Sequence, residues 1–353
     1  MVKRIKVIVV DDSALMRRII SDMLNEDPEI EVICAARNGI DLLEKLAKQK
    51  PDVITLDVEM PILNGIETLK RLKCEGVLVP VIMLSSVTKN GTNQTMESLS
   101  LGAFDFVSKP SGVISVDINK VASELIVKVK AACDSSYNKK NAIKTISKNK
   151  IGTSDYVNKM EKTKFGIIKA VVIGASTGGP KALYNVITRF PKYLGVPVFV
   201  VQHMPVGFTK AFADRLDVNS EIKVVEATDG ENCQTDVVYI APGGYHMEVW
   251  NDRKIHLNKE PAIWGVRPSV DKLFISASKV YGAGLVSAVL TGMGRDGAEG
   301  TQVIKKNGGV TISEDESTCV IYGMPKMAFE TGCVDFVVPI DKVALQIINI
   351  VKK

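Results

Sequence analysis

Apolar residues in this chain fall into short runs, and the runs are separated by longer stretches with a helical period. Before residue 133 the runs predict strands at 5–10, 30–36, 52–56, 79–84 and 104–108, and the intervening stretches predict helices at 13–26, 38–48, 65–74, 92–101 and 115–132. Strand–helix alternation with short connections argues for a parallel sheet covered by helices on both faces. After residue 165 strand runs recur at 169–174, 197–202, 236–240, 285–291 and 309–313, which again reads as a mainly parallel α/β sheet. Residues 134–164 are rich in Lys, Asn, Ser and Thr and hold no sustained hydrophobic period. The expected fold class is α/β, with two doubly wound domains at 1–133 and 165–353 joined by a flexible Lys-rich linker at 134–164.

Composition narrows this picture. With 353 residues the chain suits two or three domains, and 46% hydrophobic with 24% charged residues is the balance of a soluble globular protein. No apolar run reaches the ~18 residues of a membrane span, so no membrane insertion is expected. The first apolar run, Val7 to Val10, stops at Asp11-Asp12, which marks a strand rather than a secretory signal. The six cysteines are scattered without a Cys-x-x-Cys pair and read as reduced thiols, consistent with a cytoplasmic location.

The net charge of +5 is matched by the linker alone, which holds eight Lys and three acids. Residues 1–133 carry 17 basic and 18 acidic residues, and residues 165–353 carry 20 and 19. A nucleic-acid-binding surface concentrates its charge on a folded face, so no nucleic-acid partner is expected. The basic segment reads as a solvated linker, with docking to an acidic partner as the sharper alternative.

In open parallel sheets, ligands bind beyond the carboxyl ends of the strands. In the first domain those ends carry Asp11-Asp12, Asp57, Ser85 and Lys109-Pro110. Each alone is ordinary: the Asp pair could start a helix capped by Ser13, and the others could be loop or surface residues. Together, three carboxylates at one edge call for a cation, and an open all-oxygen site suits Mg²⁺. A carboxylate beside Mg²⁺ and Lys109 can accept a phosphoryl group, which the Ser85 hydroxyl could then bond.

These residues, with Leu56-Asp57-Val58-Glu59-Met60-Pro61, Gly65 and Phe106, resemble the receiver domain of two-component response regulators over about residues 3–128. The resemblance implies a flavodoxin-like domain with Asp57 as phosphoacceptor. It implies Mg²⁺ held by Asp12, Asp57 and the backbone carbonyl of Glu59, with Asp11 close by. Ser85, Phe106 and Lys109 take the positions that respond to the phosphoryl group. Phe106 has no hydroxyl, so a switching hydrogen bond from that ring is absent.

In the second domain Gly174-Ala175-Ser176-Thr177-Gly178 follows a strand and precedes a helical stretch, fitting Gly-x-Ser-x-Gly. The alternative is a glycine-rich turn whose serine caps the helix. His203 ends the next strand, and a histidine base suits proton transfer from a serine near neutral pH. His246 and His256 read as structural. Asp296, after the strand at 285–291, could orient the imidazole. The order Ser, His, Asp disfavours an α/β-hydrolase, whose histidine comes last.

A rival reading exists, because Gly292-Met293-Gly294-Arg295-Asp296-Gly297 also spells the dinucleotide fingerprint, with Glu314 placed for a ribose. A small DNA-binding output domain is the other alternative.

The stretches Gly-Ala-Ser-Thr-Gly-Gly-Pro, Gln-His-Met-Pro, Arg-Pro-Ser-Val-Asp and Leu-Thr-Gly-Met-Gly-Arg-Asp-Gly-Ala resemble the catalytic domain of the CheB family of chemotaxis methylesterases, over about residues 168–350. The resemblance implies a Rossmann-like hydrolase domain with Ser176, His203 and Asp296 as catalytic triad. It places the oxyanion hole at the backbone N–H groups of Thr177 and Met293 and requires no cofactor in this domain. It further implies hydrolysis of glutamate methyl esters, with release of methanol, and deamidation of glutamines on chemoreceptors. The kinase CheA would be the phosphodonor to Asp57.

Overall fold

A computed structural model of the chain describes residues 4–109, 118–145 and 166–352. The chain divides into two compact units, 1–140 and 141–353.

The first unit is a five-stranded sheet of β1 Ile5–Val10, β2 Ile30–Ala36, β3 Val53–Asp57, β4 Val81–Ser85 and β5 Asp105–Ser108. The spatial order is β2-β1-β3-β4-β5 and every pairing is parallel. β3 and β4 are buried at every residue, as strands with helices on both faces must be. The helices are α1 Ala14–Asn25, α2 Gly39–Leu46, α3 Gly65–Cys74, α4 Lys89–Leu101 and α5 Ile118–Thr145. Their starts are set by side-chain caps: Ser13 accepts from the Met16 amide, Asn38 from Asp41, and Thr88 from Gly91. At α3 the Asn64 and Glu67 side chains and amides bond reciprocally in a capping box.

Two expectations change here. The helix expected at 115–132 continues to Thr145, so residues 134–145 at the start of the expected linker are helical. Neither glycine nor proline interrupts Ile118–Thr145, and a missing apolar period does not end a helix that contains no breaker. The rest of the linker reading, and Pro110, lie outside the described residues.

The second unit holds a seven-stranded, wholly parallel sheet in the order β14-β13-β12-β6-β7-β9-β8. Its strands are β6 Ala170–Ala175, β7 Val198–Gln202, β8 Lys223–Glu226, β9 Val237–Ile240, β12 Leu285–Val289, β13 Val310–Glu314 and β14 Phe336–Val338. A separate antiparallel hairpin pairs β10 His246–Val249 with β11 Ile255–Asn258. The sequence pattern omitted β8, β10 and β14, which are only three or four residues long. Phe199, Tyr239 and Phe274 anchor the core under this sheet, each side chain contributing about 1.5–3 kcal/mol by burial.

The topology decides where each site lies. After β6 the chain moves outward through β7 to β8 and β9, then returns to build β12, β13 and β14 on the other side of β6. The strand order therefore reverses between β6 and β12, and the corresponding reversal in the first unit lies between β1 and β3. Asp11, Asp12 and Asp57 sit at the first reversal; Ser176 and Asp296 follow the strands that flank the second.

Candidate functional site

In the first unit one carboxylate oxygen from each of Asp11, Asp12 and Asp57 lies within 4.8 Å of the others. Asp11 and Asp57 are buried, whereas Asp12 is exposed. The Lys109 ammonium sits 2.7 Å from Asp11 Oδ2 and 2.8 Å from Asp57 Oδ2. Burial pushes the Asp57 carboxyl up to about 6; Lys109 pulls it down and Asp11 pushes it further up. Burial works against the Lys109 charge, but Asp57 and Asp11 hold that ammonium above its ordinary value.

Three acids against one lysine leave net negative charge at the cluster, which fits a hard divalent cation. A cleft of about 380 Å³ adjoins the cluster at Asp12, and Val58, Glu59, Met60, Pro61, Asn64 and Gln94 complete its lining. The Glu59 amide donates to Asp57 Oδ1 at 3.3 Å, which fixes the loop after β3. Gly65 is required beside it, because a Cβ there would stand 2.2 Å from the Asp57 carbonyl oxygen. Ser85 is fully buried and its hydroxyl donates to the Ser86 and Gly91 carbonyls. Phe106 is buried, and Lys128 lies 5.3 Å from its ring centroid while donating to its carbonyl at 2.6 Å.

In the second unit β6 delivers Ser176 at its carboxyl end. The Ser176 amide donates to Thr291 O at 3.0 Å, its carbonyl accepts from Gln202 Nε2 at 2.9 Å, and the His203 amide donates to Ala175 O at 3.0 Å. Segments that follow β12 and β7 thus hold the serine turn from both sides. His203 Nε2 meets Asp296 Oδ2 at 2.8 Å. Among the described residues the Ser176 hydroxyl has no hydrogen bond to His203, so two of the three groups are joined and the third stands beside them. Nδ1 is the imidazole nitrogen not engaged by Asp296.

Asp296 receives three further donors: Ser269 Oγ at 2.8 Å, Val270 N at 2.6 Å and Asp271 N at 2.9 Å. Burial opposes its charge, yet the His203 bond and charge and the Asp271 and Val270 amides hold its carboxyl below the ordinary value. Among the described residues the Thr177 and Met293 amides donate to no protein acceptor. The Thr177 carbonyl accepts from Thr291 Oγ1 at 3.1 Å.

The sequence did not reveal the residues that hold this arrangement. Ser269 and Asp271 lie in the Arg-Pro-Ser-Val-Asp stretch, where Ser269 caps the helix Val270–Tyr281. Asp271 Oδ1 accepts from Gly297 N at 2.9 Å and Gly300 N at 2.7 Å. Burial and the nearby Asp296 charge push its carboxyl up to about 6 despite those amides. A serine two residues before an acid at a helix start was a readable capping signal; its aim at a distant loop was not.

These contacts overturn the dinucleotide reading. The amides at the start of the helix Ala298–Lys306, where a pyrophosphate would sit, are occupied by the Asp271 carboxylate. Glu314 is buried and accepts from Thr291 N at 2.8 Å and Thr318 Oγ1 at 3.0 Å, so it does not face a ribose. A seven-stranded sheet likewise replaces the small helical unit that a DNA-binding output would need. Among the described residues no helix is long and apolar enough to cross a membrane.

Comparison with known proteins places both units in known families. A family profile described as CheB methylesterase matches residues 171–347, and one described as response regulator receiver domain matches residues 7–116. A protein-glutamate methylesterase/protein-glutamine glutaminase of Clostridium acetobutylicum is 60% identical, covering 99% of each chain. One from Pyrococcus horikoshii is 45% identical over 99% of this chain and 94% of its own. The crystal structure of the Thermotoga maritima CheB methylesterase catalytic domain is 45% identical with a TM-score of 0.50, covering 52% of this chain and 98% of that one. With a receiver unit preceding the serine–histidine–aspartate unit and this similarity running through both, the chain belongs to the CheB family of protein-glutamate methylesterases/protein-glutamine glutaminases.

Proposed function

We propose that this chain hydrolyses glutamate γ-methyl esters and glutamine γ-amides on chemoreceptors, with Ser176 as nucleophile, His203 as proton carrier and Asp296 as the group that orients His203. The observation that carries this is the 2.8 Å bond between His203 Nε2 and an Asp296 carboxylate held by three other donors, at the strand end next to Ser176.

Ser176 Oγ attacks the substrate carbonyl carbon while its proton passes to His203 Nδ1, the nitrogen left free by Asp296. Asp296 stabilises the imidazolium formed. The oxyanion of the tetrahedral intermediate is met by the Thr177 and Met293 amides, which have no other protein acceptor among the described residues. Collapse breaks the C–O bond, and His203 returns the proton to the departing methoxide, giving methanol and an acyl-serine. Water then attacks the acyl-serine with His203 as base, releasing glutamate and regenerating Ser176. For an amide the departing group is ammonia.

Asp57 is the proposed phosphoacceptor in the receiver unit, with a kinase of the CheA type as donor. Asp12, Asp57 and the Glu59 carbonyl, with Asp11 close by, would hold Mg²⁺, which supplies charge neutralisation for the transferred oxygens. Lys109 binds the carboxylate that accepts them, and Ser85 and Phe106 lie where the unit responds. The proposed domain limits are 1–133 and 165–353, with the last turns of α5 continuing into the segment between them, and the proposed location is the cytoplasm.

The test is methanol release from methylated receptor membranes. Ser176→Ala should abolish it while the melting profile stays unchanged; substantial residual turnover excludes Ser176 as nucleophile. A small phosphodonor with Mg²⁺ should raise the wild-type rate, and Asp57→Ala should block the rise. Equal stimulation of that variant removes the regulatory role of Asp57.

A further inference from the structure

Beside the Asp296 loop the structure holds an arginine that no part of the proposed mechanism uses. Arg295 is exposed, and its guanidinium carbon lies 4.6 Å from the Trp264 ring centroid. Among the described residues it is joined to no acidic partner. Trp264 is itself an unusual platform. It is 54% exposed and adopts a left-handed backbone with φ of 52°, a conformation that costs a bulky residue of order 1 kcal/mol. The bridge between Ile263 and Val266 closes its turn, and the indole N–H donates to Asp271 Oδ2 at 3.2 Å. Asp271 in turn donates its amide to Asp296 and binds the Gly297 and Gly300 amides. The platform, the arginine and the proposed catalytic carboxylate are therefore tied into one piece.

A strained, half-exposed tryptophan gains little by burial, but its ring carries the Arg295 guanidinium over one face. Such an arginine has lost part of its conformational freedom before any ligand arrives, and the ligand its planar fork matches is a carboxylate. We propose that Arg295, stacked on Trp264, binds a carboxylate of the substrate protein that flanks the esterified glutamate. This residue pair then gives the enzyme a preference for esters with acidic neighbours. The inference rests on the hydrolase reading above and names a selectivity determinant for the same site.

The chemistry gives such a contact a purpose. A methylated glutamate is neutral, so its own side chain offers no charge for steering. A neighbouring unmodified glutamate or aspartate supplies that charge, and Arg295 is the exposed cation adjacent in sequence to Asp296. Because the guanidinium is exposed, its contribution is screened by salt and shows mainly in substrate binding.

The test uses the full chain with phosphodonor and Mg²⁺ and two synthetic peptides, each with one glutamate γ-methyl ester. They differ only in glutamate or glutamine at the flanking positions, and methanol release gives kcat/KM for each. The wild-type protein should prefer the acidic peptide by about tenfold at low salt, carried by KM, with the preference shrinking as salt rises. Arg295→Gln should bring the ratio to about one. Arg295→Lys and Trp264→Ala should give intermediate ratios, because one keeps charge without the fork and the other keeps the fork without the platform. A ratio near one in the wild type, or a ratio kept by Arg295→Gln, overturns the inference alone. A wild-type protein that hydrolyses methylated receptor membranes but neither peptide also overturns the inference alone, whereas one that releases methanol from neither source overturns the hydrolase reading and this inference with it.

Discussion

Asp271 and Asp296 each bind the start of the helix that adjoins the other. Asp296 accepts the Val270 and Asp271 amides at the start of Val270–Tyr281, and Asp271 accepts the Gly297 and Gly300 amides at the start of Ala298–Lys306. Both helix termini gain an anion where their dipoles favour one. The two carboxylates nevertheless titrate in opposite directions, one held below and the other pushed above the ordinary value. Only Asp296 touches His203, and its charge is the one the imidazolium needs.

Replacing Asp296 by Asn should separate catalysis from folding. Four donors converge on the two carboxylate oxygens, and an amide nitrogen at either position faces donors it cannot accept. We expect Asp296→Asn to lower kcat by about 10³–10⁴-fold, as when a triad imidazole loses its orienting anion. Stability should fall by about 2–4 kcal/mol because buried donors lose their acceptor. Steady-state methanol release and denaturant melts measure the two effects. A folded variant with kcat within tenfold of wild type would show that Asp296 does not orient the base.

The Asp271 pair member makes a pH signature. Its folded value of about 6 lies above that of an exposed carboxyl, so the folded state binds the extra proton more tightly. The stability this adds is fully present below about pH 4 and is lost as pH rises through about 6. Asp296, held low, behaves oppositely: its contribution is present above about pH 4 and lost as pH falls through its folded value. Asp271→Asn removes the first effect, and with it the neighbouring charge that acts on Asp296, which stays ionised and held low by His203 across this range. The stability of the variant minus that of the wild type should therefore climb between pH 4 and 6.5, by about 2–3 kcal/mol. Urea midpoints of the second unit at four pH values test this. A flat difference would mean Asp271 titrates normally.

How much of this was legible follows from what kind of signal each residue leaves. The ten strands expected across the two units are present, because buried parallel strands read as mainly apolar runs. The edge strand Phe336–Val338 leaves an apolar run of only three residues before Pro339, too short to read as a strand on its own. Ser176, His203 and Asp296 were readable as polar groups of suitable type at strand ends, and parallel pairing then brings those ends to one edge. Asp271, Trp264 and Arg295 were not, since their roles arise from contacts between a turn, a helix start and a loop far apart in sequence. The end of α5 is not legible from the apolar stripe, which fades near residue 133, because a run without Gly or Pro stays helical to Thr145.

Lys109→Ala tests the electrostatics of the receiver cluster. The ammonium is the single cation within ion-pair distance of both Asp11 and Asp57 among the described residues. Without it two buried carboxylates face each other, and the Asp57 value rises beyond about 6. Protonation relieves that repulsion at low pH. The variant should thus be destabilised by about 2–4 kcal/mol at pH 8 and by clearly less at pH 5. Thermal melts in metal-free buffer, following the receiver transition, decide it. Equal destabilisation at both pH values would point to lost packing instead of lost charge.

Gly292→Ala probes the approach of the β12 segment to the serine turn. A Cβ at this position would stand 2.5 Å from Met324 Sδ and 2.7 Å from Ser176 Cβ. The methionine side chain can move, but Ser176 Cβ is fixed by the Ser176 amide bond to Thr291 and the carbonyl bond to Gln202. The added methyl must then displace either the serine or the Gly292-Met293 backbone, and both movements misalign the nucleophile with the Thr177 and Met293 amides. The expected result is a fall in kcat of about 10²-fold or more, with KM changed little, because the reacting geometry is disturbed rather than the substrate surface. Stability should drop by only about 1–3 kcal/mol, as for other overpacked sites. A variant that keeps wild-type kcat would show that the turn tolerates the shift, and the oxyanion assignment to the Met293 amide would then have to be abandoned.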